Sequence, residues 1–145
     1  MSDYGKESEL VAYCGIYCRL CDYFTGRIRD SARDLLGIVK KHSELKLFAD
    51  TTKAFDFENF VKGLEWVSKE ISPCVGGCRG GGGWRDCPMR KCCIQRGVRF
   101  CYECNDFPCE TLKKFPKRVD ELNEIKKIGL ESWIKQKLEQ DSIQQ

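Results

Sequence analysis

The stretch from Cys74 to Cys109 restricts the folding of this chain more than any other part. It holds eight of the eleven cysteines and the run Gly80-Gly81-Gly82-Gly83, with few aliphatic residues. Such a segment can hardly order itself by burying apolar surface alone, so something must cross-link it, either disulfides or metal. The spacing favours metal. Cys14, Cys18 and Cys21 form a C-x3-C-x2-C group, Cys74, Cys78, Cys87 and Cys92 a second, and Cys101, Cys104 and Cys109 a third. Cys93, beside Cys92, stands outside this grouping. Thiolates bind soft or borderline metals strongly, about four to an ion. Closely spaced cysteines on a tight loop converge at little further cost in loop-closure entropy. The ten grouped cysteines are therefore candidate metal ligands.

The redox compartment bears on the same choice. The opening Met1-Ser2-Asp3-Tyr4-Gly5-Lys6-Glu7 is polar and lacks the apolar core of a signal peptide. No run approaches the roughly 18 consecutive apolar residues of a membrane span. We therefore expect a cytoplasmic protein without a membrane partner, where reducing conditions disfavour structural disulfides. An odd count of eleven cysteines also fits poorly with a complete disulfide framework.

A length of 145 residues suits one domain. We expect a single, mainly α-helical domain over 1–145 with an irregular cysteine-rich, metal-stapled loop region. Its parts are an N-terminal triad and helices (1–73), a cysteine-rich region (74–110) and C-terminal helices (111–140). Asp30-Ser31 reads as the cap of a helix whose stripe is Ala32, Leu35, Leu36 and Val39, and Asp56 as the cap of one carrying Phe57, Phe60, Val61 and Leu64. Pro73 closes that region. Loops and turns follow, with a short strand around Val98–Phe100. Pro108 then opens a short helix bearing Cys109, Leu112 and Phe115. Val119, Leu122 and Ile125 continue a stripe after Pro116. Gly129 ends that helix, and Trp133, Ile134 and Leu138 start the last one, which frays beyond Glu139. Trp66 and Trp133 fall among the core positions, and Trp84 in an exposed loop.

The residues Cys14-Gly15-Ile16-Tyr17-Cys18-Arg19-Leu20-Cys21 resemble the start of a set of small bacterial and archaeal cysteine-rich proteins. So do Cys87-Pro88-Met89-Arg90-Lys91-Cys92, the run Gly97-Val98-Arg99-Phe100-Cys101-Tyr102-Glu103-Cys104, and Asp106-Phe107-Pro108-Cys109-Glu110. The late Ile128-Gly129-Leu130-Glu131-Ser132-Trp133 is similar as well. That set is the domain of unknown function 3795. The resemblance runs in order along nearly the whole chain and implies zinc or iron–sulfur binding through the cysteines. In that pattern a small residue usually stands at the position of Cys93, which implies that Cys93 is not a shared ligand. The tetraglycine run departs from the pattern.

Spacing leaves three groupings open. The middle four cysteines could form one tetrahedral site while the two triads pool their thiolates. Each triad could instead borrow a middle cysteine, or each could keep an open coordination position. The first triad also has the spacing of the cluster motif of radical S-adenosylmethionine enzymes, but Leu20 stands where those carry an aromatic residue, and the chain is short for their barrel. Zinc accepts all-cysteine sites and is the metal we expect; an iron–sulfur cluster is the alternative.

Ten Lys or Arg side chains lie between Cys74 and Arg118, against four acids. With Trp84, Phe100, Tyr102 and Phe107 interleaved, they suggest a nucleic-acid-binding zinc ribbon. The negative charge of ten thiolates calls for the same cations as local compensation. A net charge of only +3 also gives little non-specific attraction to nucleic acid, so that partner is disfavoured. The expected function is a structural or interaction module presenting Trp84, Arg85 and Arg90 to an unknown protein partner, with a redox or electron-transfer protein as the alternative. No catalytic residue is assigned. The glycine run lacks the Lys-Ser/Thr of a phosphate loop, and no His-Glu motif supplies a base. His42, the single histidine, reads as a solvated residue.

Overall fold

A computed structural model describes residues 4–71 and 74–144, so Pro73 lies outside the described residues. Eight α-helices follow one another along them: α1 (Tyr4–Glu9), α2 (Arg27–Lys41), α3 (Glu44–Thr52), α4 (Phe57–Glu70), α5 (Pro88–Arg96), α6 (Glu110–Lys113), α7 (Pro116–Ile128) and α8 (Leu130–Gln144). The described residues contain no strand, only an isolated antiparallel bridge between Val11 and Tyr17. The protein is mainly helical.

The backbone divides into two units. The first joins residues 1–21 to 75–145, and the second is the intervening segment 22–74. The early cysteine triad belongs with the late cysteine-rich chain rather than with the helices that follow it.

In the second unit, α2 starts at Arg27 after Gly26, which adopts φ 76, a left-handed conformation open to glycine. Asp30 and Ser31 thus lie inside the helix and do not cap it. Asp56 does cap α4, its carboxylate accepting a hydrogen bond from the Asn59 N–H at 3.0 Å. Asp56→Ala should therefore lower the stability of this unit by about 1 kcal/mol in thermal melts; an unchanged melt would remove the cap from the account. Packing in this unit is chiefly α2 against α4, with Ala32, Leu36, Val39 and Ala49 buried. Ile28 and Leu35 of α2 and Phe60, Leu64 and Val67 of α4 line an open groove. Trp66 is 58% exposed, against the core position expected for it. The packed face of α4 runs through Val61, Leu64 and Ser68, and Trp66 projects from the opposite side.

The first unit has a conventional core of Val11, Ala12, Cys14, Tyr17, Met89, Phe100, Leu112, Leu122, Ile125, Trp133 and Ile134. Helices α7 and α8 supply its largest pieces. Trp133 is 1% exposed, its ring centroid 5.8 Å from that of Tyr17, and its indole N–H donates to Glu121 Oε2 at 2.9 Å. Pro116 occupies the first turn of α7, where a missing N–H costs nothing, and Gly129 caps its end with an N–H to the Ile125 carbonyl at 2.8 Å. Beyond Glu139, α8 continues to Gln144 rather than fraying. The expected helix after Pro108 shortens to the four residues of α6.

Two elements lie where loops were expected from Cys74 to Phe107. Pro88 opens α5, which ends at Gly97 with φ 68. No strand forms at Val98–Phe100. The Val98 N–H donates to the Cys93 carbonyl at 3.0 Å, and Phe100 leads into a 3₁₀ turn over Cys101–Glu103. The amides of this segment finish one helical element and begin another, so none is left for a ladder.

Candidate metal centre

Tight turns set the cysteines of the first unit. Ala12 and Ile16 close a turn through an N–H to carbonyl bond of 2.8 Å, with Gly15 at φ 87 between them. A Cβ at Gly15 would meet Leu122 at 3.3 Å in addition to the strained dihedral. Cys14 sits in this turn, and Cys18 opens a 3₁₀ turn that Cys21 closes with its N–H on the Cys18 carbonyl, 3.0 Å. The Cys101 N–H donates to the Tyr13 carbonyl at 2.9 Å, which ties the third triad to the first.

The glycine loop is folded around Arg90. Its guanidinium donates to four backbone carbonyls, those of Cys78 (2.9 Å), Gly82 (2.7 Å), Trp84 (2.8 Å) and Arg85 (3.0 Å). Gly80 must be glycine for a local reason, since a Cβ there would lie 2.5 Å from the Gly76 carbonyl oxygen. Arg79 is similarly occupied. It donates to the carbonyls of Val11 and Arg99, both at 2.7 Å, and lies over the rings of Tyr13 and Phe100. These two arginines organise backbone. Arg96 instead reaches sulfur, its Nη1 standing 3.1 Å from Cys104 Sγ while Nη2 pairs with Asp106 at 2.9 Å.

The thiols gather in ways that cut across the sequence groups. Cys18 is hydrogen-bonded with Cys78, and these bonds outweigh burial to lower the Cys18 thiol to about 6. Cys14 is buried, which raises its thiol, and it is within electrostatic reach of Cys87. A cavity of about 60 Å³ lies between α5, the Cys101–Glu103 turn and α6, and Cys92, Cys93, Cys101, Cys104 and Cys109 line it. Cys93 Sγ is 3.5 Å from Cys101 Sγ. This shared hydrogen bond lowers the Cys93 thiol and raises that of Cys101, so the pair holds one negative charge more readily than two. Cys74 closes the second unit, its N–H on the Tyr23 carbonyl at 3.4 Å.

Cys78 and Cys92 of the middle group thus have different neighbours, Cys18 and the cavity of the last triad. Cys93 is the residue that spacing overlooked. It is 2% exposed while Cys92 is exposed. Helical geometry carried the signal, because from Pro88 onward Met89 and Cys93 fall four apart on one buried face. His42, exposed, pairs its Nδ1 with Glu44 at 2.8 Å.

The five cysteines are the soft donors around the cavity, which suits zinc or an iron–sulfur cluster. Two thiolates on one zinc stand about 3.8 Å apart, from a Zn–S bond of about 2.3 Å in a tetrahedron. The Cys93–Cys101 separation is near that edge. The cavity thiols as a set are spread wider, and among the described residues no three Cys, His, Asp or Glu side chains converge as an ion would hold them.

This fold and site define a class, a mainly helical protein with cysteine-rich loops. Its residues 10–114 match the model of a family described as protein of unknown function (DUF3795), and the chain belongs to that family. No curated protein and no solved structure matches it.

Proposed function

We propose that this protein is a metal-binding module, with zinc as its metal, whose thiolate sites chiefly stabilise the first unit and present its surface to a partner protein. The observation that carries this reading is the cavity bordered by five cysteines, where bound metal would add its binding free energy to that of the apolar core. Cys101, Cys104 and Cys109, with Cys92 from α5, are the ligands proposed there. Cys14, Cys18, Cys21, Cys74, Cys78 and Cys87 complete the candidate set. Zinc supplies four-coordinate cross-linking without redox chemistry. The protein's own contribution is to hold the thiols on short turns and to set Arg96 Nη1 3.1 Å from Cys104 Sγ.

An iron–sulfur cluster is the alternative that the same donors serve. A nucleic-acid role is disfavoured, since Arg79 and Arg90 are committed to backbone carbonyls and bring less free charge to the surface than composition suggests. Trp84 and Arg85 remain exposed and mark the face proposed for a partner protein. A cytoplasmic location is part of the same proposal, since reducing conditions there keep cysteines available to metal.

The test is metal content per chain after anaerobic purification, read with the visible absorption spectrum. Zinc in stoichiometric amount and no colour is the expected result. Iron with acid-labile sulfide and a brown chromophore would transfer the protein to the redox reading, and a chain free of either metal would overturn both.

A further inference from the structure

We propose that Cys93 and Cys101 form a dithiol modification site at which hydrogen peroxide joins the two sulfurs in a disulfide. Three observations meet there. The sulfurs are 3.5 Å apart, so bonding requires them to close by about 1.5 Å, a movement within reach of side-chain rotation. Both backbones are pinned. The Cys93 carbonyl accepts from the Gly97 and Val98 N–H groups at the end of α5, and the Cys101 N–H is held by Tyr13. Finally, both residues line the cavity, whose volume of about 60 Å³ admits an oxidant of a few heavy atoms but not a bulky one.

Cys93 is also the one cysteine to which the metal reading gives no task. The Cys18–Cys78 pair lies in contact too, but both of its members are candidate ligands. A spare thiol beside a ligand is a different arrangement, because it can react while the ligand set is still filled.

In the reaction, one sulfur of the pair attacks a peroxide oxygen and the O–O bond breaks. This gives a sulfenic acid, and the departing hydroxide takes up the thiol proton as water. The second sulfur then attacks the sulfenic sulfur, forming the S–S bond and expelling a second hydroxide, which leaves as water with the remaining thiol proton. The two thiols lose two electrons and two protons, and hydrogen peroxide is reduced to two waters. This chemistry rests on the sulfur geometry alone. Where zinc holds Cys101, that sulfur would enter as its thiolate and the second hydroxide would take its proton from solvent, so the site loses the Cys101 ligand and releases its metal.

The experiment uses the full chain as purified with its metal, exposed to equimolar hydrogen peroxide, then alkylated and mapped by mass spectrometry without reduction. Zinc release is followed in parallel with a chromogenic chelator. A disulfide joining Cys93 to Cys101 is expected. Cys92→Ala should leave it in place, and Cys93→Ala should abolish it and slow zinc release. Linkage through Cys92, prior formation of Cys18–Cys78, or oxidation without an intramolecular cross-link would each overturn the proposal. The wild-type map decides the matter even if Cys93→Ala fails to fold. A chain that carries no metal but forms the Cys93–Cys101 bond would reject the zinc reading and keep the dithiol.

Discussion

Replacing Cys101 by serine should remove about one metal equivalent per chain and cost the first unit several kcal/mol, because the apparent binding free energy of a structural zinc, on the order of 10 kcal/mol, is folding free energy. Cys101 is the sensitive choice. It borders the cavity, lies against the core, and has Cys14, Cys93 and Cys109 within electrostatic reach. A serine there would also leave a hydroxyl in apolar surroundings, which alone costs about 1–3 kcal/mol. Stability by itself is thus an ambiguous reading. Elemental analysis and urea melts with and without a strong chelator separate the two effects. The wild type should fall to the level of Cys101→Ser when chelated, and the variant should respond less. A variant with full metal content would remove Cys101 from the ligand set.

The second large effect is expected at Trp133. Truncation to alanine deletes one of the largest buried side chains and should lower stability by about 3–5 kcal/mol. Part of the loss comes from Glu121, whose carboxylate would retain Lys137 at 2.9 Å but lose the indole donor. Trp133→Phe should recover much of the packing without that hydrogen bond. Urea denaturation followed by circular dichroism measures both. A loss below about 1 kcal/mol for Trp133→Ala would mean that the α7–α8 core carries far less of this unit than its burial indicates.

The helices built on an apolar stripe were readable from the sequence. Helix α4 with its Asp56 cap, α7 between Pro116 and Gly129, and a last helix carrying Trp133, which begins earlier at Leu130, stand as periodicity and end signals imply. Helices α1, α3 and α5 were not anticipated, the last two for opposite reasons. Helix α3 buries only Ala49, while Leu47 and Phe48 are exposed, so its stripe carries little information. In α5 the burying residues include a cysteine, and treating every cysteine as a ligand conceals its service as core. Spacing could only nominate the candidate ligands. Their partners could not be read from it, because Cys18 and Cys78 meet across 60 positions, through turns fixed by Arg79 and Arg90. An arginine that donates to four carbonyls looks in sequence like any surface charge.

The second unit begins and ends at one place, with the Cys74 N–H on the Tyr23 carbonyl. It is in effect a side excursion of the polypeptide, its two ends brought together. Such a segment can complete its local contacts as it emerges from the ribosome, before the later cysteines exist. It can equally be lengthened, shortened or exchanged over evolutionary time without resetting the spacing that the thiols require. Length variation among relatives should therefore collect between positions 22 and 74, while the cysteine-bearing chain on either side keeps its measure.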